Sequence, residues 1–162
     1  MFEKVSNRLK DMAGSAAIFL ATGFYLGYSP FAPGTMGTLL GVPIGFFFSK
    51  LTIINQLLLF FICFFIFSFI AGKAEEVFNK KDAGQIVCDE ALGFVVSMFL
   101  IPYTIFNIII VFFLFRFFDI LKPFPIRIID QKIKNGYGIV LDDILAGVYA
   151  NIAFRIFISP IY

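Results

Sequence analysis

Thr52-Ile-Ile-Asn-Gln-Leu-Leu-Leu-Phe-Phe-Ile-Cys-Phe-Phe-Ile-Phe-Ser-Phe-Ile-Ala71 runs for 20 residues without a charged side chain. That is the length an α-helix needs to cross the roughly 30 Å hydrocarbon core of a bilayer. The rest of the chain is of the same kind. Of its 162 residues, 60% are hydrophobic and 15% charged, and the mean hydropathy is +0.93. An ordinary soluble domain carries about 45–50% apolar and about 25% charged residues. A chain this short cannot fold so much apolar surface into its own core, because small domains leave a large share of their surface exposed. Its solvent is therefore lipid, which excludes a soluble globular domain, a disordered tail and a nucleic-acid binder. A net charge of +2 offers a polyanion no foothold either.

Five further apolar runs flank this stretch: Ala13–Tyr28, Met36–Ser49, Ile86–Ile101, Thr104–Ile120 and Ile139–Ile158. No soluble linker separates them, so residues 1–162 read as a single domain. Ser29-Pro-Phe-Ala-Pro-Gly-Thr-Met-Gly37 packs two prolines and two glycines into nine positions, which marks a break between helices. Pro102 makes a second reversal, and Lys122-Pro-Phe-Pro125 stops the helix before it. Between Ile126 and Lys134, isoleucines alternate with Arg127, Asp130, Lys132 and Lys134, the pattern of an amphipathic helix lying on a membrane surface. The expected fold is all-α, a polytopic membrane helical bundle of about five transmembrane helices. Ala13–Tyr28, interrupted by Gly14, Gly23 and Gly27, is expected to add a re-entrant or interfacial helix rather than a cleaved signal.

Orientation follows from the basic residues. With Met36–Ser49 starting inside and the later runs alternating, Lys4, Arg8, Lys10, Lys73, Lys80, Lys81, Arg116, Lys122, Arg127, Lys132 and Lys134 fall on the cytoplasmic side. That is eleven of the 13 basic residues; only Lys50 and Arg155 lie opposite, and the positive-inside rule favours this arrangement. The same orientation sets Pro33–Gly37, Asp89-Glu90, Asp119 with Lys122, and Asp142-Asp143 on one face, where they can converge.

Absences restrict the chemistry. With no His, Ser-His-Asp hydrolysis, His-ligated zinc and phosphohistidine intermediates are excluded. Cys63 and Cys88 are far apart, and Phe94 occupies the place where a cysteine phosphatase loop starting at Cys88 requires Arg. Of the 11 acidic residues, Asp89, Glu90, Asp119, Asp142 and Asp143 lie within or at the ends of apolar runs, where a carboxylate needs a partner, a cation or a wet cavity. Arg116 and Lys122 are the only local bases. The excess negative charge asks for a metal, and oxygen-only ligands favour Mg²⁺ or Mn²⁺ over zinc. Asp89 with Gly93, and Asp143 with Gly147, stand four apart on one helix face, and the small residue in each permits close helix approach in a membrane. Pro33-Gly-Thr-Met-Gly37 presents backbone N–H groups at a helix N-terminus, a setting that suits a phosphate oxygen.

Plainer readings stand beside these. An acidic pair at a helix N-terminus satisfies the helix dipole without chemistry, and Arg116 with Asp119 makes an intrahelical ion pair. Glu75-Glu76 among Lys73, Lys80 and Lys81 reads as a solvated helix end, and Lys132 and Lys134 as lipid-headgroup anchors. These readings leave unexplained why every such cluster lies on one side.

Four segments together carry a family resemblance. Ser29-Pro-x-x-Pro-Gly-Thr-Met-Gly37, Val87-Cys-Asp-Glu-x-x-Gly93, Arg116-x-x-Asp-x-x-Lys-Pro-x-Pro-Ile126 and Gly138-Ile-x-x-Asp-Asp-Ile-x-Ala-Gly147 resemble the phosphatidylglycerophosphatase A family, in order, over roughly residues 20–150. The departures are Cys88 and Phe124, which stand where tryptophan is expected. The resemblance implies a Mg²⁺-dependent enzyme of the bacterial cytoplasmic membrane, multi-pass and with its active site facing the cytoplasm. It would hydrolyse phosphatidylglycerophosphate to phosphatidylglycerol and inorganic phosphate. Asp89, Glu90, Asp142 and Asp143 would hold the metal, with Asp89, Glu90, Asp119 and Asp143 catalytic. Thr35, Gly37, Arg116 and Lys122 would bind the substrate phosphate. Asp119 is left with three roles open: orienting water, binding metal or fixing Lys122. The expected partner is the phospholipid substrate in the bilayer, with no obligate protein partner. Neighbouring lipid-enzyme classes fit poorly, since catalytic His, a D-G-x-x-A-R run and an Asp-x-Asp pair are all missing. The rival function is a divalent-cation transporter working through intramembrane carboxylates.

Overall fold

The computed structural model describes residues 14–80 and 82–158. Lys4, Arg8, Lys10 and Lys81, the question of a cleaved leader and the opening of the Ala13–Tyr28 run lie outside them. Among the described residues the chain is all-α, with no strand. A helix over residues 14–21 (α1) ends where Gly23, Phe24 and Tyr25 all take positive φ, and a 3-10 turn follows at Leu26–Tyr28. Then come α2 (Pro33–Ser49), α3 (Ile53–Phe78), α4 (Cys88–Ser97), α5 (Ile105–Leu121), α6 (Ile126–Lys132) and α7 (Gly136–Phe157).

Local sequence accounts for the ends. Thr52 and Thr104 cap α3 and α5 by accepting the Asn55 and Asn107 amides, and Asn135 caps α7 by accepting from Tyr137 and Gly138. Each satisfies an N–H that has no partner within its helix. Pro33 occupies the first turn of α2, where its missing N–H costs nothing. The α5 helix stops at Lys122, in the left-handed region just before Pro123.

The centre of the bundle is α4, packed against α2 and α7, while α7 also receives α3, α5 and α6. Two glycines make this possible. A Cβ on Gly147 would stand 2.3 Å from the Gly93 carbonyl oxygen, and one on Gly93 would stand 2.8 Å from the Asp143 carbonyl oxygen. Backbone therefore meets backbone, at the two helix faces where sequence spacing had set a glycine four residues after a carboxylate. The far end of α4 is held by α7 as well. The Asn151 amide donates to the Ser97 and Phe99 carbonyls, and the Arg155 guanidinium donates to Phe99.

The helices differ from the apolar runs in length. The α3 helix extends seven residues beyond Ala71, and among the described residues it alone is long and apolar enough to cross a membrane. Ile86–Ile101, expected as a crossing, yields only the ten residues of α4, about 15 Å of helix at 1.5 Å per residue. Half the length of the hydrocarbon core is not a span. Eight of those ten residues are buried inside the protein, so the run is apolar because helices surround it. Large apolar side chains, by contrast, stand exposed along α3 (Ile54, Leu58, Phe65, Phe69) and α5 (Ile105, Phe113, Ile120), a surface suited to a membrane-associated chain.

Candidate active site

Five parts of the chain meet at one end of the bundle around a cavity of about 330 Å³. The start of α2 brings Ala32, Pro33 and Gly34; the α3–α4 loop brings Asp82, Gly84 and Ile86; the first turn of α4 brings Asp89 and Glu90. Arg116, Asp119 and Lys122 come from the end of α5, and Asp142 and Asp143 from the second turn of α7. All five carboxylates singled out in the apolar runs of the sequence thus share one cavity with both local bases.

Within it the groups divide into paired and unpaired. Arg116 forms an ion pair with Asp119 at 2.6 Å and reaches Glu90 at 3.9 Å. Lys122 pairs with Asp142 and, at 3.4 Å, with Asp130. Burial disfavours the Lys122 ammonium, but the carboxylates of Asp142, Asp130 and Asp82 together outweigh it and hold the lysine pKa above its ordinary value. No ion pair reaches Asp89 or Asp143 among the described residues, although both are buried. Oxygens of Asp89, Glu90 and Asp143 lie within 4.8 Å of one another. Asp89 Oδ1 and Glu90 Oε2 are buried without a hydrogen-bond partner.

Orphaned carboxylate oxygens facing one another are costly unless a cation sits between them. A cluster of hard oxygens without imidazole or thiolate suits a small divalent ion. Asp89, Glu90 and Asp143 therefore form the group able to hold a metal. Asp142, expected beside them, turns one carboxylate oxygen to Lys122 and accepts the Asp143 amide with the other.

The opening of α2 departs from expectation in detail. Thr35 and Met36 donate their amides to the Ala32 carbonyl, and neither Thr35 nor Gly37 lines the cavity. Gly34 does. A Cβ there would stand 2.4 Å from Glu90 Oε1 and 2.9 Å from an Arg116 nitrogen, so the helix N-terminus lies directly on the carboxylate and its cation.

Sequence reasoning passed over Asp82 and Asp130. Asp82 follows Lys80 and Lys81 in a stretch that reads as solvated, yet it lines the cavity. Its amide is held at 2.7 Å by Glu75 Oε1, so Glu75 is tied to the cavity wall, while Glu76 pairs with Lys73 at 2.7 Å as an exposed helix end.

The family model described as phosphatidylglycerophosphatase A matches residues 19–158. The chain belongs to that family. It is 42% identical over 133 residues to a phosphatidylglycerophosphatase A of Haemophilus influenzae, covering 81% of this chain and 82% of that one. It is 33% identical over 132 residues to the phosphatidylglycerophosphatase A of Escherichia coli, covering 80% and 76%. A Bacteroides thetaiotaomicron protein named "Putative phosphatidylinositol-3-phosphatase" is 35% identical over 147 residues, covering 86% and 91%. No solved structure matches the chain. Membership of the phosphatidylglycerophosphatase A family makes this chain an enzyme, and its four motif segments supply most of the cavity lining.

Proposed function

We propose that this chain is a lipid phosphatase that hydrolyses phosphatidylglycerophosphate to phosphatidylglycerol and inorganic phosphate at the cytoplasmic face of a bacterial membrane. One observation carries the reading: three clustered carboxylates, two of them with an orphaned oxygen, lie beside Arg116 and Lys122 in a single cavity. The relatives' names support phosphatidylglycerophosphate as the substrate.

Asp89, Glu90 and Asp143 would hold Mg²⁺, with Asp142 completing the group when Lys122 moves to substrate. Bound there, the ion supplies Lewis-acid polarisation of a phosphoryl oxygen. The chain's own groups do the positioning, which dominates phosphoryl transfer. Arg116, steered by Asp119, presents its guanidinium to the phosphate, and Lys122 provides a second positive charge. The N-terminus of α2, from Pro33 through Thr35 to Gly37, contributes its dipole toward a phosphoryl oxygen. Asp119, 13% exposed, stands where it can also orient the attacking water. The multi-pass arrangement is part of the same proposal. It is supported by the alternation in which the start of α2 meets the loop after α3 and the end of α5.

Release of inorganic phosphate from phosphatidylglycerophosphate by the detergent-purified chain tests the reading. Activity on neither that lipid nor phosphatidylinositol 3-phosphate would overturn it. Preference for the latter would support the second reading, which the Bacteroides relative's name favours. The cation-transporter reading is not favoured, because the carboxylates gather at one end of the bundle and the large cavity at the other end is apolar.

A further inference from the structure

At the far end of the bundle, α2, α3, α4 and α7 leave a second cavity of about 490 Å³. Its walls are aliphatic and aromatic, with Phe48, Leu57, Phe60, Met98, Val148 and Ile152 prominent among them. Only three polar side chains line it, and each already spends a donor on the protein itself. Ser49 donates to the Phe46 carbonyl, Gln56 to Leu51, and Asn151 to Ser97 and Phe99. Ser49 and Asn151 thereby commit all their donors, which leaves a polar ligand one spare amide hydrogen, on Gln56. The volume lies within the range of small-molecule sites, about 300–1,000 Å³, so the occupant this lining accepts is hydrocarbon.

Position narrows the choice. Val95 lies five residues beyond Glu90 on α4, and Val148 five beyond Asp143 on α7, about 7.5 Å along the helix axes from the carboxylates, and Ile144 brings the lining up to Asp143 itself. Ile152, nine residues beyond Asp143, lies about 13.5 Å away. Along these two helices both depths fall within the roughly 15 Å that one leaflet of a 30 Å hydrocarbon core provides for a lipid chain, while Gly45 to Ser49 on α2 and Gln56 to Phe60 on α3 carry the cavity farther from the carboxylates. A lipid whose phosphate sits among Asp89, Glu90 and Arg116 has chains that reach this cavity.

We propose that the apolar cavity is an acyl-chain site, holding the distal part of one chain of the same phospholipid whose headgroup occupies the carboxylate cavity. This rests on the lipid-phosphatase reading above. The site makes chain length a determinant of substrate recognition, acting through binding rather than through the chemical step.

Two filling variants test it, Val148→Phe on α7 and Leu57→Trp on α3, where Leu57 lines the cavity while staying partly exposed. Full-length protein in detergent is assayed on dipalmitoyl and dihexanoyl phosphatidylglycerophosphate, and its melt is followed with dipalmitoyl phosphatidylglycerol and dipalmitoyl phosphatidylcholine. The expected result is a loss of about tenfold or more in kcat/KM on the long-chain substrate, carried by KM, since each methylene denied burial costs several-fold in affinity. Turnover of the short-chain substrate stays within about twofold of the parent. Dipalmitoyl phosphatidylglycerol should raise the melt of the parent and not of the variants. Equal losses on both chain lengths, or no loss on either, would overturn the proposal. So would equal stabilisation by phosphatidylcholine, which would make the cavity a resting place for bulk lipid. If the parent cleaves neither substrate, the phosphatase reading fails separately; the melts still decide whether the cavity takes a lipid chain.

Discussion

Replacing Gly147 by alanine adds one methyl group where α4 and α7 touch. That carbon would stand 2.3 Å from the Gly93 carbonyl oxygen, against the 3.4 Å at which ordinary contact begins. The obstacle is backbone and cannot swing aside, so the two helices must separate by about 1 Å at this level. Overpacking of this kind costs about 1–3 kcal/mol, and a domain of this size melts roughly 2–4 °C lower per kcal/mol. The larger effect falls on turnover. Asp143 lies one turn before Gly147 and must meet Asp89 and Glu90 of α4, and a 1 Å misplacement in a positioned site can cost about a hundredfold. Gly147→Ala is therefore expected to lower kcat by about two orders of magnitude while the protein still folds. Gly72→Ala is the control, because its Cβ would meet nothing closer than 3.6 Å. Turnover at saturating lipid is measured beside a thermal melt in detergent. Parent-like turnover and an unshifted melt for Gly147→Ala would refute the contact and the argument built on it.

The remaining expectations concern charge, metal and orientation. Asp89→Asn, Glu90→Gln and Asp143→Asn should each cut turnover at least a hundredfold without lowering the melt, because neutral amides are cheaper to bury than charges; doubles should be little worse than the worst single. Glu76→Gln should be silent, whereas Glu75→Ala, which releases the Asp82 amide, should reduce turnover severalfold in the same assay. Chelation with EDTA should abolish phosphate release and added Mg²⁺ should restore it; full activity after exhaustive chelation would remove the metal from the scheme. Single cysteines placed at Lys80 and Lys134 should label from the cytoplasmic side and one at Lys50 from the other, and labelling of Lys80 and Lys50 from the same face would contradict the orientation.

Much of the site was legible because its residues are chemically out of place. A carboxylate in an apolar run is conspicuous, and Arg116, Asp119, Lys122, Asp89, Glu90, Asp142 and Asp143 all stood out on that ground before converging on one cavity. The glycine spacing at Gly93 and Gly147 was legible for a related reason, since missing side chains in lipid-soluble helices mark close approach. Asp82 escaped because charged neighbours camouflage a loop carboxylate. The boundaries of α4 escaped because hydropathy reports that water is absent and is silent on whether lipid or protein replaces it. The partition of the acids was also hidden: that Asp142 belongs to Lys122 and Asp143 to Asp89 depends on rotation about α7, which two adjacent letters do not encode.

Because α7 meets α4 at two levels, α7 acts as a measuring rod. Asp143 addresses the first turn of α4 and Asn151 addresses its last carbonyls, eight residues apart. One residue inserted between them turns everything beyond it by about 100° and lengthens it by about 1.5 Å, so the two ends of α4 could not both be met. Loops such as that before α6 can absorb a change of length locally. The interval from Asp143 to Asn151 cannot, and it is the stretch of this chain where a single-codon insertion should be least tolerated while conservative substitutions at Ile144 or Leu145 pass.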